Sequence, residues 1–493
     1  MLSLLASQSE VSVAVRLLFA GLLVGLIVCL ALEEKLHAKK SVIAGVFAIV
    51  CLLAGSACQI LPFAPVVVGS TEIVEQADVP AESEVDHPAE HTRTHEGGHE
   101  IKMPVYIPGI DWGVIAIILG SSLFVDVTSR SGLFTWIAIK VTKASGGDPL
   151  RLLYCYGIMT VVFSAVLNNV TAMIIVGSLT VVSLDKLELR DKLMGFLLIE
   201  GLLTNVGGLL TLISSVPNII VGTAAGISFV EFFVKSSPYV LVATILTLWM
   251  GARLFAIRSI KDATAKVLAK EQVAGFDETD GIESWGFFWF SVVMLLLFIC
   301  TIATTSALPF ISDLEMGYVA LSFAGIMLVR FKSEADQFYK AIDWDLIAFF
   351  MSLFVVIYVM EHAQVLTEIG NGMQLVLNQI TAPVAGITDA SMLLIGAAGF
   401  SSVTDNIPLA AMLSNILSEL GTPSESGLWW SVIFGANLGG NLTPIGSAST
   451  LVAVTIMHKH KIPISFAGFV KIALPYALIQ IGLATVYVVI FLR

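Results

Sequence analysis

Apolar runs of about 17–25 residues, each long enough to cross a hydrocarbon core as a helix, recur from residue 12 to the C-terminus. In lipid each backbone N–H and C=O needs a partner within its own structure, so continuous runs of this length fold as helices. Charged residues make up 13% of the chain, against about a quarter in soluble domains, and the mean hydropathy is +0.89. The expected fold is an all-α polytopic membrane protein with the lipid bilayer as its constant partner. The run around 12–33 has neither a basic stretch before it nor a small-residue cleavage site, and reads as a retained helix.

Lys and Arg gather in alternate loops, which places those loops on the cytoplasmic side. Residues 71–102 carry nine acids against Arg93 and Lys102, a polar connector and not a nucleic-acid footprint, although the whole chain has a net charge of −12. With that connector outside, 21 of the 26 basic residues fall inside, consistent with a cell inner (cytoplasmic) membrane and residues 71–107 extracytoplasmic. About ten spans follow, near 12–33, 41–62, 111–128, 195–226, 238–257, 285–305, 314–331, 343–360, 429–457 and 469–491. The domain plan is two helices in 1–70, the outer loop 71–107, a first repeat 108–258, a cytoplasmic linker 259–284, two connecting helices in 285–339 and a second repeat 340–493.

Two runs resist this alternation. The stretch 152–183 has basic loops at both ends, and 390–420 lies inside a region, 363–430, without Lys or Arg. Arms of about 15 residues reach about 22 Å, short of a core about 30 Å thick. Both read as re-entrant hairpins entering from opposite faces, with Asn168-Asn169 and Asp405-Asn406 at their tips, flanked by Thr171 and Thr404.

The chain also duplicates itself. "IDWGVIAIILGSSLFV" from Ile110 matches "IDWDLIAFFMSLFVV" from Ile342, and "TNVGGLLTLISSVPNII" matches "ANLGGNLTPIGSASTLV". Both pairs are 232 residues apart, and the hairpin tips 237. Shared sequence with opposite loop charge is the mark of inverted-topology repeats. In the second pair, Asn205, Gly207, Gly208, Thr211, Ser214, Ser215 and Asn218 mirror Asn437, Gly439, Gly440, Thr443, Gly446, Ser447 and Thr450. Paired glycines, a proline and hydroxyls inside a span describe a discontinuous helix, whose half-helix N-termini suit anions and whose C-terminal carbonyls suit sodium. Two tips and two breaks related by pseudo-symmetry are expected to converge on one ion or substrate site.

Asp405 is the sharpest candidate for coupling, because a carboxylate at helix centre costs about 2.5–3.5 kcal/mol on insertion scales and is tolerated there for function. Glu200 is a second proton-coupling candidate, expected near the cytoplasmic interface; Asp126 and Glu361 lie near helix ends and read as interfacial. His87, His91, His95 and His99 recur every four residues among the outer acids, an arrangement that can chelate a transition metal. Pro88 and Gly97-Gly98 interrupt the helix needed to align them, which favours a solvated loop. Cys29, Cys51, Cys58, Cys155 and Cys300 have no CxxC spacing and read as small buried hydrophobes. No cofactor is expected.

These strings resemble the ion transporter superfamily of arsenite-efflux permeases, NhaD-type sodium/proton antiporters, the pigmentation P protein and the citrate/dicarboxylate transporters. The likeness runs from about residue 110 to the C-terminus and rests on "IDW", "LNNVT", "TNVGGLLTLISSVPNII", "TDNIP" and "GANLGGNLTPIGS". It implies two re-entrant hairpins, asparagine-containing ion loops, alternating access and a homodimer. Asn169 and Asn406 match the hairpin asparagines of the family, and Asn437, Thr443, Gly446 and Ser447 match its second broken helix. Where the P-protein and NhaD-like branches read Leu-Asp-Asn this chain has Leu167-Asn168-Asn169, and where the P protein reads Gly-Asp-Pro-Pro-Asn it has Ser214-Ser215-Val216-Pro217-Asn218. Two membrane-embedded acids are thereby replaced, leaving one-carboxylate coupling through Asp405 or the handling of neutral and anionic substrates.

The leading expectation is a secondary active transporter of a small ion, driven by sodium or protons, with sodium/proton-type antiport ahead of citrate-, dicarboxylate-, sulfate- or arsenite-like anion transport. Neither site string contains Lys or Arg to meet an anion. A passive channel has no need of paired inverted breaks. An intramembrane enzyme is disfavoured, since there is no HExxH and no second buried Asp.

Overall fold

The computed structural model describes residues 11–61, 66–68, 99–101 and 107–492, apart from 108, 280, 306–307, 309–310, 312–313, 333–335, 337–338, 341, 378–379, 383 and 405. Helix starts follow the side chains able to take an unpaired first-turn N–H. Ser12, Asp111, Asp148, Asn168, Ser228, Asp343, Ser447 and Ser465 each accept such a bond.

The first half contains α1 (Val13–Ala31), α2 (Lys40–Ala57), α3 (Trp112–Arg130), α4 (Leu133–Ser145), α5 (Pro149–Val166), α6 (Asn169–Lys186), α7 (Leu193–Gly207), α8 (Val216–Ala224) and α9 (Phe229–Leu254). A linking helix, α10 (Ala263–Ala274), precedes α11 (Trp285–Thr304), α12 (Glu315–Arg330), α13 (Trp344–His362), α14 (Val365–Gln374), α15 (Ile387–Ser401), α16 (Asn406–Glu419), α17 (Gly427–Gly439), α18 (Ala448–Lys459) and α19 (Phe466–Tyr487). Between α2 and α3 the strands β1 (Val66–Val68) and β2 (His99–Ile101) pair antiparallel.

The protein is an all-α multi-pass membrane protein. Among the described residues nine helices are long and apolar enough to span a bilayer. Each of the ten expected spans has a counterpart; α7–α8 and α17–α18 fall outside the nine because they are broken, and α12 because it has 16 residues. Large apolar side chains such as Leu17, Leu241, Ile245, Leu296 and Leu478 point outward, the surface that lipid covers.

Several expectations change. The arms of the first hairpin, α5 and α6, have 18 residues each, about 27 Å, so by length alone each is a candidate span. Short helices α4 and α14 break the plan without having been anticipated, and they too are 232 residues apart, at Leu133 and Val365. Of the cysteines only Cys51 is buried; Cys29, Cys58 and Cys155 are partly exposed, Cys300 is exposed, and all five are free thiols. His87, His91 and His95 lie outside the described residues, and His99 opens β2 opposite Val68. The described residues contain no cluster of three potential metal ligands.

Packing extends the internal symmetry beyond the sequence match. Helix α2 lies on α13 while α12 lies on α3, so the first two helices stand to the second half as α11 and α12 stand to the first. The last helix of each half repeats as well, at the hairpin's offset of 237. Ser228 and Ser465 cap α9 and α19, and Pro238 and Pro475 sit inside them.

The linker is docked onto the first half. Ala269 and Val273 of α10 are buried, and Lys186 Nζ lies 3.7 Å from the centroid of the Phe276 ring. Lys140 and Lys143 both pair with Glu278. Asp148, which caps α5 through Arg151 N, takes its other bonds from Ser259 Oγ at 2.5 Å and Ile260 N at 2.9 Å. Burial raises the Asp148 carboxyl, but these three hydrogen bonds outweigh it and hold the group below the ordinary carboxylate range. Its contribution to stability is therefore full above the ordinary aspartate range and is lost as pH falls through the depressed value. Asp148→Ala is expected to lose about 2 kcal/mol, a cap plus charge-assisted bonds. Limited proteolysis should then cut the 259–284 segment faster in the variant, and faster in the wild type on acidification.

Candidate functional site

The two broken helices are built alike. Gly208 and Gly440 close α7 and α17 as C-caps, and Ser215 and Ser447 stand at the N-caps of α8 and α18. Each break is closed by the residue three beyond that serine. Asn218 Nδ2 donates to the carbonyls of Gly208 (2.6 Å) and Thr211 (3.0 Å), while Thr450 Oγ1 donates to those of Ser447 (2.8 Å) and Pro444 (3.2 Å). Ser214 Oγ bonds the Gly208 carbonyl. These bonds satisfy backbone groups that an interrupted helix leaves unpaired.

The hairpins dock on the breaks through matching contacts. Thr211 Oγ1 donates to the Ala165 carbonyl at 2.5 Å, and Thr443 Oγ1 to the Ser402 carbonyl at 2.6 Å. Ser164 Oγ bonds the Thr204 carbonyl at 2.6 Å, and Ser401 Oγ the Ala436 carbonyl at 2.6 Å. Gly207 and Gly439 make this approach possible: a Cβ on either would lie 2.7 Å from the Val161 backbone or 2.3 Å from the Ala398 carbonyl. Because the first tip stops at the break, the nine residues of α8, about 13 Å of helix, extend past it.

Across the two halves the breaks clasp each other reciprocally. Asn205 Nδ2 donates to Ser447 Oγ at 2.8 Å, and Ser215 Oγ donates to Asn437 Oδ1 at 2.7 Å. Each asparagine closing one half's α-helix thus meets the serine that starts the other half's second segment. Asn437 Nδ2 also reaches Asn218 Oδ1 (2.8 Å), and Ser449 Oγ reaches Asn205 Oδ1 (3.2 Å). Asn169 joins from the hairpin tip, 3.4 Å from Asn205 Oδ1 and 2.6 Å from Ser164 Oγ.

Not every candidate enters this array. Asn168 is exposed and caps α6 by accepting from Thr171 N at 2.8 Å. Thr404 Oγ1 returns to the Phe400 carbonyl, Asn406 opens α16, and Gly446 packs on Gly440. Asp405 lies outside the described residues. Asp126 pairs with Arg130 and Glu361 is exposed. Glu200 is fully buried within the protein; Thr180 Oγ1 donates to its Oε1 at 2.6 Å, and its Oε2 has no partner among the described residues. Helices α6 and α18 pack over α7 and enclose it.

Sequence reading missed three members. Asn441 accepts from Asn205 Nδ2 at 2.8 Å and donates to Gln480 Oε1 at 2.7 Å, and Gln480 Nε2 donates to Thr247 Oγ1 at 2.9 Å. All three are buried. A glutamine in the middle of the apolar run of α19 was the available signal.

The array consists of neutral amides and hydroxyls framed by helix ends of both polarities. Carbonyl and amide oxygens there suit sodium, and the N-termini of α8 and α18 suit anionic groups.

The sequence matches the family described as CitMHS, citrate transporter, over residues 98–431. It is 30% identical over 387 residues to an uncharacterized transporter of Mycobacterium bovis, covering 77% of this chain and 86% of that protein. A 46 kDa membrane protein of Mycobacterium leprae is 31% identical over 395 residues with the same coverage. The human P protein is 23% identical over 450 residues, 77% of this chain and 54% of that one. The fold is similar to the crystal structure of the Alcanivorax borkumensis YdaH transporter, described as having an unusual topology. The TM-score is 0.55 at 12% identity, over 92% of this chain and 98% of that one.

Proposed function

Since the chain belongs to the CitMHS citrate transporter family, we propose that it moves a small ion by alternating access coupled to a sodium or proton gradient, as a sodium/proton-type antiporter. The protein is a secondary transporter and not an enzyme. The observation that carries the antiport reading is Glu200, a carboxyl with no solvent exposure that has, among the described residues, one hydrogen bond and an unpartnered oxygen, about one and a half turns from Asn205. A charge buried so sparsely is costly, and ionisable groups kept within a bilayer mark ion and proton routes. Asp405, a carboxylate within the apolar second hairpin, is the other coupling group of the proposal.

The two asparagine–serine clasps join the halves at the breaks. In this reading sodium takes amide and hydroxyl oxygens there, and protons take the acids. A second reading, carboxylate transport, is supported by the description of the matched family and by the two half-helix N-termini at the breaks.

Reconstitution in proteoliposomes tests this. A sodium pulse is expected to move protons in the opposite direction, saturably, with the movement abolished in Asp405→Asn and strongly reduced in Glu200→Gln. Sodium-driven citrate uptake without such exchange overturns the antiport reading in favour of the second. Flux that rises linearly with concentration overturns both.

A further inference from the structure

The first half contains a line of buried hydroxyls that none of the roles above uses. Thr142 near the end of α4, Tyr156 in the middle of α5, and Ser183 and Thr180 in the last two turns of α6 have no solvent exposure. Tyr156 Oη lies 2.6 Å from Thr142 Oγ1 and 2.6 Å from Ser183 Oγ. Thr180, one turn deeper than Ser183 on the same helix face, donates to Glu200 Oε1 at 2.6 Å. Outward of Thr142, Ser145 Oγ bonds the Thr142 carbonyl and accepts from Gly147 N, which opens the loop before Asp148. Lys140, Lys143 and Arg151 flank this end in the sequence, which is the side read as cytoplasmic.

We infer that Thr142, Tyr156, Ser183 and Thr180 form a proton relay joining the basic-loop side of the protein to the buried Glu200 carboxyl. The inference rests on the proton-coupled reading and adds the path by which the proton arrives. Each hydroxyl is both donor and acceptor. A proton received on the Thr142 oxygen lets its own proton pass to Tyr156, and so on through Ser183 and Thr180 to Glu200. Every hydroxyl ends as it began, one O–H bond forms on the carboxylate, and no electrons are exchanged. One link, Ser183 to Thr180, has no hydrogen bond among the described residues, and the relay requires a side-chain movement at Ser183, Thr180 or Glu200 to close it.

The elements packed on α7 are α5, α6, α9, α17, α18 and the single turn Arg190–Lys192; α5 supplies Tyr156, and in the turn Arg190 and Asp191 are exposed and Lys192 is partly exposed. Asp185 and Lys186 on α6, Arg253 on α9, and His458 and Lys459 on α18 sit at exposed helix ends.

The test is time-resolved infrared spectroscopy of the full-length protein in lipid nanodiscs after a pH drop, reading the carboxylic C=O band that disappears in Glu200→Gln. Tyr156→Phe and Thr180→Val are expected to slow the appearance of that band by about tenfold or more, and Thr180→Ser to restore the wild-type rate. Equal rates in the wild type, Tyr156→Phe and Thr180→Val overturn the relay, as does a wild type with no Glu200 band that responds to pH. The readout needs no transport. A wild type that protonates Glu200 through the hydroxyls yet shows no sodium-driven proton movement sinks the antiport reading and leaves the relay standing.

Discussion

Asn205→Ala is expected to abolish transport and to lower stability by about 2–3 kcal/mol. The asparagine meets Asn441, Ser447, Ser449 and Asn169. Interhelical hydrogen bonds in membranes average only about 0.6 kcal/mol, because unfolded segments find other partners. Four of them therefore account for about 2 kcal/mol, and the remainder comes from buried polar atoms left unpaired. Asn437→Ala, which releases Ser215 and Asn218, should be comparable. Because one array holds both halves, the effects of Asn205→Ala and Ser447→Ala should be far from additive. Substrate flux in proteoliposomes and thermal unfolding in detergent read the two effects. An Asn205→Ala protein transporting at the wild-type rate removes the array from the mechanism.

Gly439→Ala should be worse for folding than for any single chemical group. Its new Cβ would stand 2.3 Å from the Ala398 carbonyl and 2.7 Å from Ser401 Cβ. The carbonyl cannot retreat without moving α15, which is held to α17 by the Ser401–Ala436 bond. Overpacking of this kind typically costs about 1–3 kcal/mol, and a clash with backbone belongs at the top of that range. Gly207→Ala, against the Val161 backbone at 2.7 Å, should follow closely. Gly396→Ala on the same α15, with nothing within 4 Å of the added methyl, should leave the melting temperature unchanged or raise it slightly. Size-exclusion traces of heated samples separate these outcomes. Identical melting of Gly439→Ala and Gly396→Ala would show that the hairpin does not bear on the break.

The helical fold was legible because bilayer thickness and backbone pairing leave few other solutions for long apolar runs. The breaks were legible because glycine pairs, a proline and asparagines are costly inside a span and occur twice at one spacing. Enclosure was not. Glu200 reads from its place early in the first broken helix as a residue near the cytoplasmic interface, and nothing local announces that α6 and α18 close over it; such packing is non-local information. Asn168 and Asn169 look alike in sequence; the turn gives the first to helix capping and turns the second toward Asn205. Gln480 lies 275 residues from Asn205, and Asn441 alone joins the two. The short helices α4 and α14 escaped notice because neither is long enough to announce a span.

The reciprocal clasp has a consequence for how this chain can exist at all. Each half closes the backbone of its own break, through Asn218 or Thr450, while Ser447 answers to Asn205 and Asn437 to Ser215 across the halves. A lone half would keep its interruption closed but would lose the contacts that hold it against its counterpart.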